Sequence, residues 1–189
     1  MSQPSGEWSN TRLVAQCLAG DERSWSALLE RYKNLIYSIP LRYGTPHQDA
    51  ADIFQAVCLD LFNELPRLRD AEALQGWLIR VTTHKCYHWK QRQINQESEL
   101  DEDAVEKLSS AHAMPPDVLA EVEREQMVRE SIGHLPPRCR ELVELLFFEH
   151  PPMPYNEVAR RLGLATGSIG FIRGRCLKRL KKLLEEKGF

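Results

Sequence analysis

The chain has 189 residues, enough for one large or two small domains, and a formal net charge of −2. Its five cysteines are scattered without any CxxC pair, so the sequence indicates neither a zinc site nor a disulfide framework, and we predict buried, reduced thiols. No apolar run has the length of a signal peptide or a membrane span, so we expect a cytoplasmic protein.

The low net charge averages over segments of opposite sign. Acidic side chains dominate from Gln93 to Glu125, whereas the residues after Ala165 are strongly basic. This asymmetry is typical of an acidic linker between two bodies, one of which binds nucleic acid. The predicted divisions are a disordered N-terminus (residues 1–10), a first domain (11–93), an acidic linker (94–116) and a second domain (117–187).

The first domain reads as a bundle of helices, because apolar residues recur at helical spacing throughout it. Gly20 is predicted to end the first helix and Asp21 to cap the second. The third helix is predicted to begin with a capping box, in which Thr45 is the N-cap, Pro46 the first helical residue and Gln48 the reciprocal partner.

The fourth predicted helix, from Ala73 to about Gln93, mixes aromatic and basic side chains towards its end. Such side chains can stack on unpaired bases while holding their phosphates. The same pattern also fits an amphipathic helix end whose aromatic residues belong to the core. A metal site is not predicted, because only His84 and His88 fall on one helical face and no carboxylate lies nearby in sequence.

The second domain ends in two helices separated by a tight corner. Gly163 can adopt the left-handed conformation that ends the first of them, and Thr166 or Ser168 can cap the second. One side of the last helix is apolar and the opposite side is basic, which predicts a helix-turn-helix that binds the major groove. A basic helix end also suits the helix dipole, so charge alone leaves DNA binding open. The predicted fold is all-α, with two helical bundles joined by the acidic linker.

The order of these elements resembles a bacterial alternative sigma factor of the extracytoplasmic-function (ECF) type. The resemblance extends from Leu13 to Leu184. It rests on four motifs in the family's order, namely LVAQCLAGDERSWSALLERY, DAADIFQAVCLDLF, GWLIRVTTHKCYHW, and LPPRCRELVELLFFE with YNEVARRLGLATGSIGFIRGRCLKRLKKLL. It implies a factor without enzymatic activity or cofactor that binds RNA polymerase core and directs promoter-specific transcription initiation.

The resemblance also implies which residues form each contact. The first bundle would bind the clamp helices of the polymerase β′ subunit through Asp49, Asp52, Gln55 and Asp60. It would melt the −10 promoter element with Arg67, Arg69, His84, Lys85, His88 and Arg92. The second bundle would sit on the β flap and read the −35 element, with Gly170, Phe171, Gly174 and Arg175 on bases and Ser168, Arg173, Lys178 and Arg179 on phosphates. The linker would mimic nucleic acid near the RNA exit path.

The sequence departs from the family at two places, of which the first motivates a hypothesis about regulation and the second bears on the −10 preference. Ala51 and Ala56 stand where the family usually has glutamate, and two histidines replace the usual Asn and Asp of the melting helix. Fewer carboxylates imply weaker polymerase binding, which phosphorylation of Thr45 would offset by adding charge beside the docking surface. The alternative is that Thr45 is only a helix cap. The predicted regulatory partner is an anti-sigma factor or a kinase.

A second class of function also fits the sequence. A helix-turn-helix regulator could use its N-terminal bundle for sensing or dimerisation and bind an operator with its C-terminal domain. An enzyme is not predicted, since the sequence has no nucleophile paired with a general base, no glycine-rich phosphate loop and no set of three metal ligands.

Overall fold

The computed structural model describes residues 8–97 and 115–189, and these ranges contain only helices, turns and coil. The all-α prediction is confirmed for this part of the chain. The α-helices are α1 (Asn10–Leu18), α2 (Glu22–Arg42), α3 (His47–Glu64), α4 (Leu74–Glu97), α5 (Pro116–Gly133), α6 (Pro137–Phe147), α7 (Tyr155–Leu162) and α8 (Ile169–Glu186). Most of the predicted N-terminal and linker segments, including the proposed nucleic-acid mimic, lie outside the described residues.

The chain forms two compact units, Met1–Gln126 and Met127–Phe189. Unit 1 contains α1 to α4 and the first part of α5, and unit 2 contains the rest of α5 and the three helices after it. Within the described ranges, no helix is both long and apolar enough to span a membrane.

Local hydrogen bonds fix the start of the first helices in unit 1. The Ser9 side chain accepts from the backbone N–H of Arg12, which caps α1. The Asp21 carboxylate accepts from the N–H groups of Arg23 and Ser24, so the predicted cap of α2 is confirmed. The Ser24 hydroxyl also donates to Asp21, and this bond is the main cause of the lowered Asp21 pKa. Gly20 precedes this cap with a left-handed φ of 85°.

The capping box predicted for α3 is wrong. The helix begins at His47, and Pro46 stands at the N-cap without any side-chain capping bond. The Thr45 side chain is only 4% exposed, and its Oγ1 has no hydrogen-bond partner among the described residues. The turn after α2 explains the difference, because the Thr45 N–H donates to the Pro40 carbonyl at 3.0 Å and holds Thr45 against the end of α2.

The core of unit 1 lies between α2, α3 and α4. Its largest fully buried side chains include Tyr32, Leu28, Ile36, Leu61 and Leu78. Burying each leucine or isoleucine contributes about 1.5–3 kcal/mol, so this core holds the helices in a fixed arrangement. Among the free thiols, burial raises the pKa of Cys17 to about 11 and that of Cys86 to about 12, as expected for buried, reduced cysteines.

Unit 2 has its own core and a disulfide bond that the sequence did not reveal. Leu142, Val158 and Ile169 are fully buried in this core. Cys139 of α6 and Cys176 of α8 form the disulfide, with their Cα atoms 5.3 Å apart. The prediction of five reduced thiols is therefore wrong for this pair. The two cysteines are 37 residues apart, and only the packing of α6 against α8 brings them together.

Candidate nucleic-acid interface

The last two helices form the predicted helix-turn-helix. The helix α7 ends at Gly163, whose φ of 63° and ψ of 41° give the left-handed conformation expected for this position. The Leu164 N–H then donates to the Ala159 carbonyl at 2.8 Å, which closes the corner. Val158 of α7 and Ile169 of α8 are fully buried in the same core, so the corner is anchored on both sides.

The capping predicted for the second of these helices is wrong. A 3₁₀ turn, Thr166–Ser168, leads directly into α8, and no side chain caps the helix. Ser168 has nearly helical dihedral angles (φ −88°, ψ −15°) in place of the extended conformation of a capping residue. Its hydroxyl donates to the Ala165 carbonyl at 2.7 Å.

The outward side of α8, here called the recognition face, is exposed and basic. Its residues are Gly170, Phe171, Arg173, Gly174, Arg175, Lys178 and Arg179. Phe171 is 70% exposed, and the Arg175 guanidinium lies 5.8 Å from the centre of its ring. Arg173 donates to the Tyr155 hydroxyl of α7. The ring contact and the hydrogen bond orient these two arginines before any ligand binds.

The positive charge of the recognition face continues into an open groove. It is lined by Arg175, Lys178, Arg179, Lys181, Lys182 and Glu185. Lys181 pairs with Glu185 at 3.6 Å and Lys182 with Glu186 at 3.7 Å. In contrast, Lys178 and Arg179 form no ion pair within the described ranges. Their charges are therefore free to attract phosphates.

The middle of α4 carries an exposed pair of imidazole rings, here called the histidine pair. His84 and His88 lie one turn apart, with their Nε2 atoms 2.9 Å apart in a hydrogen bond. Partial burial lowers the pKa of His88, and the positive charges of His84, Arg92 and Lys85 lower it further. Two of the predicted DNA-contacting side chains are therefore in direct contact with each other.

Lys85, the third predicted DNA contact of α4, pairs with a residue predicted to contact the polymerase. Its Nζ lies 2.7 Å from Asp60 Oδ2 of α3. The sequence assigned these two side chains to different partners, whereas the structure joins them across the α3 and α4 interface. Part of the charge of each is thereby neutralised within unit 1.

The connection between α3 and α4 is folded into two short 3₁₀ turns, Leu65–Arg67 and Ala71–Ala73. The Asp70 carboxylate caps the second turn by accepting from the Glu72 N–H at 2.9 Å. Arg67 pairs with Glu64 at 2.7 Å, whereas Arg69 is exposed without an ion pair in the described residues. This connection therefore holds Arg67 and Arg69 in place beside the acidic Asp70 and Glu72.

Two exposed apolar side chains of α3 were missed by the sequence analysis. Leu59 is 65% exposed and Phe62 is 63% exposed, and the Phe62 ring lies 5.4 Å from Trp25. They follow the exposed Asp52 and Gln55 at spacings that place all four on one side of the helix. The signal was available in the sequence, because Leu59 and Phe62 fall outside the apolar stripe of Ile53, Val57 and Leu61.

Comparisons with known proteins identify the family. The family models "Sigma-70 region 2" and "Sigma-70, region 4" match residues 28–94 and 131–182, which together make up more than half of the chain. The chain is 27% identical over 164 residues to the ECF RNA polymerase sigma-E factor of Escherichia coli (strain K12), which covers 83% of this chain and 84% of that protein. The chain belongs to the sigma-70 family, in its ECF branch.

A mycobacterial relative has the same family name, and one solved structure is also similar. The ECF RNA polymerase sigma factor SigD of Mycobacterium bovis is 26% identical over 174 residues, covering 89% of this chain and 81% of that protein. A solved structure described as "Structure of CnrH in complex with the cytosolic domain of CnrY" matches 94% of this chain and 97% of that chain, at 21% identity and a TM-score of 0.37.

As an ECF sigma factor, the protein directs transcription initiation by RNA polymerase at promoters. The match to region 2 covers the bundle that the alternative interpretation assigned to sensing or dimerisation. The match to region 4 covers α6, α7 and most of α8, which form the helix-turn-helix.

Proposed function

We propose that this sigma factor reads the −35 element with the recognition face of α8. The observation that carries this proposal is the set of exposed, uncompensated cations on a helix whose inner side is anchored in the core of unit 2. Duplex DNA has a dense line of phosphates, and cations that neutralise them release counterions and gain affinity. Arg173, Lys178 and Arg179 would bind phosphates together with Ser168.

The side of α8 that has the smallest side chains would contact the bases of the −35 element. A Cβ at Gly170 or Gly174 would meet no atom within 4 Å, so these glycines leave open space on the helix surface. A helix with such a surface can approach the groove floor closely. Phe171 and Arg175 flank the glycines, and an arginine can bind guanine O6 and N7 in a bidentate manner.

The −10 element is assigned to unit 1. The 3₁₀ connection offers Arg67 and Arg69, and the exposed side of α4 offers the histidine pair and Arg92. These basic side chains would bind the phosphates of the promoter strand that is separated at the −10 element. The rigid connection would give its unpaired bases a fixed surface to contact. Lys85 would contact the DNA while paired with Asp60, and this ion pair limits how far its ammonium can extend.

Binding of the polymerase β′ clamp helices is assigned to α3. Asp52 and Gln55 supply polar contacts, and Leu59 and Phe62 supply exposed apolar area beside them. Aromatic residues in the centre of an interface contribute much of its affinity. The apolar contacts of Leu59 and Phe62 would therefore compensate for the affinity lost because Ala51 and Ala56 carry no carboxylate. Asp49 and Asp60 are half-buried and would lie at the edge of this contact.

The polymerase β flap is assigned to the exposed end of α6. Phe147 is 51% exposed and Phe148 is 42% exposed, and the Arg129 guanidinium lies 5.6 Å from the Phe148 ring centre. Exposed aromatic residues with a neighbouring arginine are the composition typical of protein interfaces.

The predicted phosphorylation of Thr45 does not fit the structure. A kinase needs an accessible hydroxyl, and the Thr45 side chain is buried in unit 1. An anti-sigma factor stays a prediction from the sequence.

The assignment of the recognition face is tested by comparing two substitutions in the polymerase holoenzyme. Arg175→Ala should relax the preference at one −35 position, with a loss of roughly 1–3 kcal/mol of discrimination. Lys182→Ala is the matched control on the same helix, because its charge is partly compensated by Glu186. It should weaken binding to all sequences mildly and change mainly the salt dependence. Initiation measured on a library of −35 variants distinguishes the two, and identical specificity profiles would show that Arg175 does not read a base.

A further inference from the structure

The histidine pair has a geometry that its assigned contact with DNA does not require. His84 and His88 are both exposed, their ring centres lie 4.2 Å apart, and the planes of the rings are inclined by 72°. Two histidines four residues apart on a helix are the arrangement in which a helix offers two imidazoles to one metal ion. In this chain the two Nε2 atoms are already adjacent, at 2.9 Å.

The distance between the nitrogens indicates which coordination geometry the pair suits. With metal–nitrogen bonds of about 2.0–2.1 Å, nitrogens held at 2.9 Å subtend an angle of about 90° at the metal. That angle fits neighbouring positions of a square-planar or octahedral complex, whereas a tetrahedral zinc site needs a wider angle. Square-planar and tetragonal nitrogen sites are typical of Cu²⁺ and Ni²⁺.

The surroundings of the pair leave the remaining coordination positions to solvent. Nowhere in residues 8–97 and 115–189 do three or more His, Cys, Asp or Glu side chains lie together as a metal-binding group. Within the part of the chain that the structure describes, the pair therefore supplies two protein ligands, and water supplies the others. The neighbouring Lys85 ammonium is held by Asp60 at 2.7 Å, which offsets its repulsion of a cation.

We propose that His84 and His88 form an exposed binding site for a divalent nickel or copper ion. The two Nε2 atoms coordinate the ion after small rotations of the exposed side chains break their mutual hydrogen bond. The consequence for transcription rests on the proposed function of unit 1. An ion held by both Nε2 atoms removes them from contact with the −10 strand, so metal binding lowers promoter opening.

Calorimetric titration of the full chain with NiCl₂ tests the site without DNA. The wild type should bind one Ni²⁺ per chain, and both His84→Asn and His88→Asn should lose this isotherm. His47→Asn is the matched control, since His47 is an exposed histidine of the same unit whose ring packs against Tyr37. Circular dichroism confirms that the variants fold. The proposal is overturned if the wild type shows no binding or if either pair variant keeps the isotherm.

Two further measurements distinguish metal binding by the histidine pair from its effect on promoter opening. Ni²⁺ should raise the melting temperature of the wild type and leave both pair variants unchanged, because only a folded helix holds the two rings together. Ni²⁺ should also reduce promoter opening by the wild-type holoenzyme and not by the variants. Binding without any effect on opening would support the metal site and overturn the role of the histidine pair at the −10 element.

Discussion

At the scale of single residues, Thr45 gives the sharpest contrast between the sequence pattern and the structure. A capping threonine stabilises its helix, and removing it costs about 0.5–2 kcal/mol. A buried hydroxyl without a partner has the opposite effect, because its desolvation costs about 1–3 kcal/mol. Thr45→Val keeps the shape of the side chain and removes the hydroxyl. We expect it to raise the free energy of unfolding of unit 1 by about 1 kcal/mol.

Urea unfolding followed by tryptophan fluorescence measures this change, since all four tryptophans lie in unit 1. Ser24→Ala is the control, because Ser24 is a buried residue whose hydroxyl does have a partner, the Asp21 carboxylate at 2.5 Å. That substitution should lower the stability. A loss of stability in Thr45→Val would show that the hydroxyl has a stabilising partner and would favour the capping interpretation.

At the scale of helices, the apolar spacing of the sequence predicted the helical segments because each helix buries one stripe of side chains. The left-handed Gly163 and the Asp21 cap were also predictable, since each depends on a few neighbouring residues. The exposure of Leu59 and Phe62 was also predictable, because both lie outside the apolar stripe of α3. The Cys139–Cys176 disulfide was not, because it depends on the packing of α6 against α8, and this information is not contained in any one segment.

The disulfide should matter mainly for unit 2. It closes a long loop between α6 and α8, and a cross-link of this length stabilises the folded state by about 2–4 kcal/mol, largely by restricting the unfolded chain. Reduction with dithiothreitol should therefore increase hydrogen exchange in α6, α7 and α8 and leave α2 to α4 unchanged. The double variant Cys139→Ser and Cys176→Ser should behave like the reduced protein, and Cys58→Ser, which removes a free thiol, should not. Equal exchange before and after reduction would contradict a stabilising role.

At the scale of the whole molecule, the proposed function gives each unit its own promoter element and its own polymerase contact. Unit 2 has the recognition face, and unit 1 has the α3 surface and the α4 surface. This division of labour stays a prediction, which rests on the charge asymmetry of the sequence and its resemblance to ECF sigma factors. The individual contacts also stay predictions, and the structure adds an ion pair that the sequence did not indicate, between Lys85 and Asp60.

Run-off transcription with purified polymerase core tests the central claim most directly. Core alone should give no discrete transcript from a promoter selected by the holoenzyme, and adding the protein should produce one. Leu59→Ser with Phe62→Ser should abolish this transcript by preventing core binding, while Leu41→Ser, which alters an exposed leucine of α2, should leave it intact. The account would be contradicted by a transcript that does not depend on the protein, or by full transcription from the Leu59 and Phe62 double variant.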